Sequence, residues 1–171
     1  ISKTIAVNFI NRYHIQPIKT NHIQFAYGIY HDNILYGVMS FNRHHRNNDK
    51  NSIILNRLVF KANYTIVGGA SKLFKYMLKN NENISKIVSW SDNRFSAGNV
   101  YKKLNFILEK ELRPDYSYVC KKDKIIKRLH KQQCTRKKLK CSENQTEHQK
   151  AIELGLARIY DCGKLRWVYT R

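Results

Sequence analysis

Apolar residues in the first 120 positions recur in short periodic segments that polar turns separate. A spacing of three to four positions predicts amphipathic helices over 3–13 and 70–80, and a shorter helix over 96–104. Segments rich in β-branched and aromatic residues predict six strands, at 24–30, 34–42, 52–60, 84–91, 106–112 and 116–120. The last two are expected to form a hairpin around Pro114. This order predicts an α/β fold, in which a mixed central sheet carries flanking helices.

The chain changes character after residue 120. Ten Lys and Arg residues and one acid, Asp123, lie between Lys121 and Cys141. Thr146 and Gln149 have the spacing of a capping box, which predicts a helix that ends near Gly155. Positions 158–169 then predict a small hairpin. We therefore expect a domain over 1–120 and a basic C-terminal helix and hairpin extension over 121–171, packed on that domain.

Net charge narrows the class of partner. The chain has 32 Lys and Arg against 12 Asp and Glu, a formal charge of +20. Such a surface repels itself unless a polyanion neutralises it, and duplex DNA is the partner we expect. Residues expected to contact nucleic acid are Arg43, Arg46, Lys127, Arg128, Lys131, Arg136, Lys137 and Lys138, with stacking surfaces at Tyr64, Phe95, Tyr118 and Trp167. A solvated charged face is the structural alternative.

Several other classes are disfavoured. The sequence has no long apolar run and no signal-peptide pattern, so we expect no membrane association and a cytoplasmic location, as in a phage-infected host cell. The four cysteines include no CxxC pair and are expected to be reduced. Cys134 and Cys141 lie near His130 and His148, but their spacing fits no zinc finger or knuckle. No metal site is expected.

A glycine pair lies between the third predicted strand and the following helix. Glycines allow a close backbone approach, and the start of a helix presents N–H groups and a positive dipole end. Together these features suit a pyrophosphate, although a tight loop is the structural alternative. The candidate cofactor-binding residues in this segment are Val67, Gly68, Gly69, Ala70, Ser71 and Lys72.

A second polar segment follows the fourth predicted strand. The strand ends at Ser91 and Asp92, and a short helix then presents Asn99 and Tyr101. Functional residues concentrate at the ends of strands in open α/β sheets. The structural alternative is that Asp92 caps a helix and Tyr101 is a half-buried aromatic.

The two segments together resemble the GNAT acetyltransferases. Gly68-x-Ala70 is similar to their acetyl-coenzyme-A loop, and Asn99-x-Tyr101-x-x-x-Asn105-Phe106 is similar to their Asn…Tyr…Gly-Phe signature. The resemblance implies a GNAT fold, acetyl-CoA as cofactor with Asn99 near it, and Tyr101 as the general acid. Two residues depart from the pattern: Thr65 replaces the usual Gln or Arg, and Asn105 replaces the usual Gly.

Closer resemblances cover most of the chain. Segments such as Val67–Phe74 and Arg158–Gly163 resemble the GNAT-like domain of phage homing endonucleases, which implies an upstream Vsr-like (EDxHD) nuclease domain before Ile1. The pattern of Arg57, Ser91-Asp92 and Gly98-x-x-Tyr101 is similar to the Mom-type phage DNA-modification proteins, which alter adenine in DNA.

The candidate catalytic residues are Tyr101, Asp92, Arg57, Ser91 and His14. Asp92 and Arg57 would orient a base, and His14 could be a general base, although His14 could simply end a helix and Arg57 could pair with Asp92. Two hypotheses stay open: an acyl-CoA-dependent transferase that modifies a base, or an inactive DNA-binding domain of a homing endonuclease. The retained Gly68, Gly69, Asp92 and Tyr101 favour the enzyme, whereas Thr65 and Asn105 favour the inactive domain. The positive charge argues against an acetyltransferase of peptides or small amines.

Overall fold

The computed structural model describes residues 1–43, 49–122 and 125–171, with side chains at 121, 122 and 125 left aside. The predicted contact residue Arg46 lies outside the described residues. The helices are α1 (Lys3–Tyr13), α2 (Gly69–Asn80), α3 (Asn99–Lys103), α4 (Arg136–Leu139) and α5 (Glu147–Glu153). The strands are β1 (Phe25–His31), β2 (Ile34–Arg43), β3 (Ser52–Phe60), β4 (Lys86–Asp92), β5 (Ile107–Leu112), β6 (Tyr116–Lys122), β7 (Ile125–His130), β8 (Ala157–Tyr160) and β9 (Lys164–Thr170).

The chain forms two compact units. The first comprises Ile1–Ser91, Ser96–Glu111 and Leu165–Arg171, and the second comprises Asp92–Phe95 and Leu112–Lys164. The predicted packing of a basic extension on the preceding domain stays a prediction. No helix in the described part of the chain has the length and apolar character needed to cross a bilayer.

A six-stranded sheet in the order β1-β2-β3-β4-β9-β5 forms the first unit. The pairs β1–β2 and β2–β3 are antiparallel and β3–β4 is parallel, so the sheet is mixed, as predicted. Alternation along β2 and β3 places side chains in two buried clusters. One cluster joins Met39 and Leu55 to α2, and the other joins Val38 and Val59 to α1. Both predicted long helices are confirmed.

The second unit contains a three-stranded sheet in the order β7-β6-β8, together with α4 and α5. The predicted capping box is present, because the Thr146 hydroxyl accepts the Gln149 N–H while the Gln149 side chain accepts the Thr146 N–H. Tyr118 is fully buried, and its hydroxyl donates to Glu147 Oε1 at 2.9 Å. Tyr116 donates to the same oxygen at 3.0 Å. One carboxylate at the start of α5 therefore holds two tyrosines of β6.

Both predicted hairpins are wrong. β5 belongs to the six-stranded sheet and β6 to the three-stranded sheet, and β8 and β9 are divided in the same way. Neighbouring strands in sequence usually pair, which is why the pattern favoured hairpins. Here burial of Trp167 and Val168 places β9 in the first unit's sheet, between β4 and β5. Most of the basic segment is thus an insertion between two strands of one sheet.

Candidate active site

Backbone pairing between β3 and β4 is short. It joins Ser52–Ile54 to Lys86–Val88 within the described residues. The next link is made by a side chain, because the Ser89 hydroxyl donates to the carbonyl of Leu55 at 2.8 Å. The two parallel strands are therefore joined first by backbone hydrogen bonds and then by a bridge that the Ser89 side chain forms. In open α/β sheets, ligands bind beyond the ends of such parallel strands.

Tyr101 lies at this bridge. Its hydroxyl is 2.8 Å from Ser89 Oγ and 3.3 Å from the carbonyl oxygen of Trp90. Either hydroxyl can be the donor in the hydrogen bond between Ser89 and Tyr101. Burial raises the pKa of Tyr101, while the bond to Ser89 and the charge of Arg57 oppose the shift. The phenol therefore keeps its proton at neutral pH, as a general acid must.

Arg57 extends from β3 with an incomplete set of partners. Its Nη1 donates to the backbone oxygen and side-chain Oδ1 of Asn56 at 2.8 and 3.1 Å, and its Nη2 reaches Gln16 Oε1 at 3.5 Å. Its Nε is buried and has no hydrogen-bond partner among the residues that the structure describes. Burial lowers the pKa of Arg57, and Tyr101 is the group that acts in the opposite direction. A buried cationic donor without an acceptor favours an anionic or strongly polar ligand.

His14 follows the last residue of α1 and caps the end of this helix. Its Nδ1 lies 3.0 Å from the N–H of Gln16 and 3.2 Å from the carbonyl oxygen of that residue. Burial, followed by the charge of Arg57, lowers the pKa of His14. The imidazole is therefore neutral near pH 7 and can accept a proton. The charge of Arg57 acts on both His14 and Tyr101.

Ser91, a predicted catalytic residue, lies beneath Tyr101's neighbour Trp167. It is buried, and its hydroxyl accepts a hydrogen bond from Trp167 Nε1 at 2.9 Å. The Trp167 ring stacks on Tyr101, with centroids 5.6 Å apart and planes 17° apart. Gly98 makes the stack compact, because a Cβ at this position would collide with the indole. Ser91 therefore orients the ring that supports Tyr101.

Two of the predicted stacking surfaces are wrong. Trp167 is 2% exposed and Tyr118 is fully buried, so neither ring can stack on a nucleic acid. Both are large aromatics in a polar part of the sequence, where a packed ring and an exposed ring have the same pattern. Tyr64 and Phe95 are more than half exposed and stay available.

Asp92 belongs to the second unit, where Arg94 engages both of its oxygens. Arg94 Nε donates to Oδ1 at 2.9 Å and Nη2 donates to Oδ2 at 2.5 Å, while the Arg94 N–H also reaches Oδ1 at 3.0 Å. The bond to the Arg94 side chain is the main cause that lowers the pKa of Asp92. The carboxylate is ionised and held in one orientation, and its predicted contact with a base stays a prediction.

The two glycines before α2 have different roles. Gly68 caps the helix in the left-handed region, with φ of 68°, and a Cβ there would meet no atom within 4 Å. Gly69 is buried, and a Cβ there would press on Ile66 and Phe60, so this glycine allows the helix to pack on the sheet. Gly68 is therefore the glycine that borders open space.

The start of α2 offers further groups to an anion. The Gly69 N–H is used by the Ile66 carbonyl, whereas the N–H groups of Ala70 and Ser71 come before the first bond of the helix, from Lys72 to Gly68. Val67 is 87% exposed, and Lys72 is exposed as well. The predicted cofactor loop is thus accessible and retains free backbone donors by the geometry of a helix terminus.

Asn99 and Asn105 flank Tyr101 in the sequence. Asn99 is the exposed first residue of α3. Asn105 has φ of 61°, the left-handed conformation that glycine adopts most readily and asparagine tolerates best among the other residues. Asn105 therefore supplies the backbone geometry of the glycine that it replaces, and this departure from the family pattern does not alter the local fold.

The basic candidates differ in how far the protein itself engages them. Lys127 and Lys137 are exposed, as is Arg43. The other four described candidates make contacts within the second unit: Arg128 to Ser117 Oγ, Lys131 to Asp115, Arg136 to the carbonyls of Ser142 and Glu143, and Lys138 to the carbonyl of Gln132. An arginine keeps other donors free after one such bond. These residues thus stabilise the unit as well as adding charge.

Comparison with solved structures identifies the fold class. The ribosomal-protein-S18-alanine N-acetyltransferase of Escherichia coli is similar, with 9% identity, a TM-score of 0.58, and coverage of 98% of this chain and 86% of the other. An IAA acetyltransferase from Bacillus cereus ATCC 14579 has 13% identity, a TM-score of 0.58 and coverage of 100% and 96%. A chain of the NatC complex bound to Gag peptide and CoA has 13% identity, a TM-score of 0.57 and coverage of 99% and 91%. The protein has the GNAT acetyltransferase fold, as predicted.

The family follows from a match over nearly the whole sequence. The model of the Mom protein family matches residues 1–170, and the chain belongs to this family. A search of curated proteins found no match. The comparisons do not support the predicted association with homing endonucleases.

Proposed function

We propose that the protein transfers an acyl group from an acyl-coenzyme A to a base in DNA. The observation that carries the proposal is the position of the Tyr101 hydroxyl, which lies 2.8 Å from Ser89 Oγ, just beyond the described pairing of β3 with β4. Membership of the Mom family and the GNAT fold support the proposal, since the former points to DNA modification and the latter to acyl transfer.

The loop before α2 fits the pyrophosphate of the coenzyme. Gly68 borders open space, Ala70 and Ser71 offer N–H groups, and Lys72 adds a positive charge. The dipole of α2 favours an anion at the same point. When bound, an acyl-coenzyme A supplies a thioester carbonyl for attack by an exocyclic amine of a base.

The side chains of the first unit match the proton movements of this reaction. A carbon–nitrogen bond forms as the carbon–sulfur bond breaks, so the amine loses a proton and the sulfur gains one. Tyr101 donates the proton to the leaving sulfur. His14, neutral because of its lowered pKa, accepts the proton of the amine. The positive charge of Arg57, which acts on Tyr101, stabilises the oxygen on which negative charge develops.

Binding of DNA is assigned to the basic surface. The net charge is +20, and Lys127 and Lys137 are exposed cations of the second unit. A contact of Asp92, whose carboxylate Arg94 fixes, with the edge of a base stays a prediction. Hydrogen-bonding of a base by a carboxylate favours an exocyclic amino group, because an ionised carboxylate only accepts.

Release of coenzyme-A thiol in the presence of DNA tests the reaction. Tyr101→Phe should lower the rate about 100-fold or more, because it removes the proton donor but keeps the ring on Trp167. Tyr27→Phe is the matched control, since its hydroxyl is bonded to Asn81, away from Tyr101. Equal rates in Tyr101→Phe and the unmutated protein would contradict the assigned role.

Coenzyme binding is tested separately by calorimetry with a pair of isosteric variants. Gly68→Asn and Gly68→Asp both tolerate the left-handed conformation and fill the same space. The aspartate should bind acetyl-CoA about tenfold more weakly than the asparagine, since its charge repels the pyrophosphate. If the unmutated protein gives no heat at millimolar coenzyme, acyl transfer from coenzyme A is refuted and a DNA-binding module without catalysis remains.

A further inference from the structure

A groove lies at one end of the first unit's sheet, apart from the bridge at Tyr101. Its volume is about 510 Å³, within the usual size of small-ligand pockets. The end of β1, the start of β2 and the loop before α2 enclose it. Among the residues that line the groove are Tyr36, Tyr64, Ile66, Val67 and Lys72.

Two tyrosines and a lysine form a fixed cluster beside this groove. The rings of Tyr36 and Tyr64 meet edge to face, with centroids 5.0 Å apart and planes at 72°. Lys61 Nζ lies 5.0 Å from each ring centroid, and its backbone N–H donates to the Tyr36 carbonyl at 2.8 Å. Tyr64 is nevertheless 51% exposed, so part of an already positioned ring faces solvent.

The chemistry of the groove is that of a nucleotide site. Aromatic and apolar walls suit the flat face of a base, and two lysines suit a phosphate. Lys61 and Lys72 form no ion pair with a carboxylate among the described residues. An acidic peptide would satisfy the lysines but leave the aromatic surface exposed, and an acyl chain would leave the lysines unmatched.

We propose that this groove binds one unpaired nucleotide of a nucleic-acid strand, with its base on Tyr64 and its phosphate near Lys61. The site rests on the proposed function in requiring a nucleic-acid partner. The adenosine end of the coenzyme is the other source of this chemistry. The net charge of +20 and Lys61, a cation outside the Val67–Lys72 segment that lies on both tyrosine rings, favour nucleic acid.

An enzyme that modifies a base must take that base out of the helical stack. A second pocket that holds a neighbouring unpaired nucleotide would stabilise the opened strand and lower the cost of exposing the substrate base. The groove would thereby select sites where the duplex is already distorted. Affinity should then depend on an unpaired base and not only on phosphate charge.

Fluorescence anisotropy with three labelled duplexes tests this site: one fully paired, one with a single bulged nucleotide, and one with a bulged abasic nucleotide. The unmutated protein should bind the bulged duplex about tenfold more tightly than the other two. Tyr64→Ala should abolish this preference while leaving affinity for the paired duplex within twofold. Tyr64→Phe, which keeps the ring, should retain the preference.

Two further measurements use the Lys61→Gln variant and acetyl-CoA. Lys61→Gln should make the slope of log affinity against log salt shallower by about 1 on the bulged duplex. Calorimetry with acetyl-CoA should give the same affinity in Tyr64→Ala as in the unmutated protein. Weakened coenzyme binding with an unchanged bulge preference would overturn the inference and assign the groove to the coenzyme.

The outcomes separate the two proposals. Equal affinity of the unmutated protein for all three duplexes would refute nucleotide binding in the groove without contradicting the proposed DNA modification. Absence of binding to every duplex would refute the proposed function itself. Circular dichroism of Tyr64→Ala, in which only a half-exposed ring is removed, should match that of the unmutated protein.

Discussion

Replacement of the buried pair Trp167 and Ser91 should reveal how the site is supported. The indole Nε1–H donates to the Ser91 hydroxyl at 2.9 Å, and both residues are buried. Trp167→Phe keeps an aromatic ring on Tyr101 but leaves the Ser91 hydroxyl without its donor. Ser91→Ala leaves the indole N–H without its acceptor. Each orphaned buried group costs about 1–3 kcal/mol of unfolding free energy.

The double variant removes both halves of the bond. No polar group is then left unpaired, so the combined loss should be smaller than the sum of the single losses by about 1–2 kcal/mol, within the range of contacting pairs. Trp167→Phe carries an additional packing loss from its smaller ring, of about 1 kcal/mol. This part appears in both the single and the double variant and cancels in the cycle.

Urea unfolding followed by far-ultraviolet circular dichroism measures the cycle, since fluorescence would change with the tryptophan itself. The dependence on urea should keep one slope in all four proteins, which shows that the unfolded states are comparable. Trp90→Phe is the control, because Trp90 is 36% exposed and should change stability little. Additive losses to within about 0.5 kcal/mol would refute the reasoning, because they would show that the two groups do not depend on each other.

Three further predictions address charge, pH and the second unit. Log affinity for duplex DNA should fall with log salt at a slope of about −5 if about six phosphates are contacted. Replacing Lys127 and Lys137 by Ala should make this slope shallower by about 2 without changing the melting temperature. A slope shallower than about −1 in the unmutated protein would contradict this prediction. Because the pKa of His14 is lowered, its contribution to stability is complete above the ordinary pKa of 6.5 and is lost as pH falls through the folded-state pKa. Denaturation at several pH values should therefore show that the unmutated protein loses unfolding free energy more steeply on acidification than His14→Asn does. Parallel curves for the two proteins would disprove the prediction. Glu147→Ala should destabilise the second unit by about 2–4 kcal/mol, because it leaves two tyrosine hydroxyls without their acceptor, whereas a loss below about 0.5 kcal/mol would show that water replaces the carboxylate.

Local periodicity was sufficient to predict most of the first unit. The helix over Lys3–Tyr13 and the strand over Ser52–Phe60 have the predicted bounds, because each buries one regular face. The GNAT resemblance also depends on short segments, since Gly68 directly precedes α2 and Tyr101 lies within α3. Local secondary structure could therefore be predicted from the sequence.

Contacts between residues that are far apart in the sequence could not be predicted in this way. Trp167 lies 66 positions after Tyr101, and nothing in the intervening sequence indicates that the two rings stack. β7 and α4 were missed because their lysines and arginines gave no clear apolar period. Arg57 was a candidate from resemblance alone, and only the structure shows that its Nε is buried without a partner in the described part of the chain.

The place of β9 in the sheet bears on the order in which the protein can assemble. A ribosome releases β4 and β5 well before β9, which must then enter between them after the whole insertion has been made. Until that moment the nascent first unit has an unfilled strand position and lacks the indole under Tyr101. Closure over so long a stretch of chain is slow, since its entropy must be lost before the new contacts form. Because β9 enters late, the packing around Tyr101 is completed late as well. The half-made sheet, with its open edges, is the stage at which a chaperone or a wrong strand would intervene.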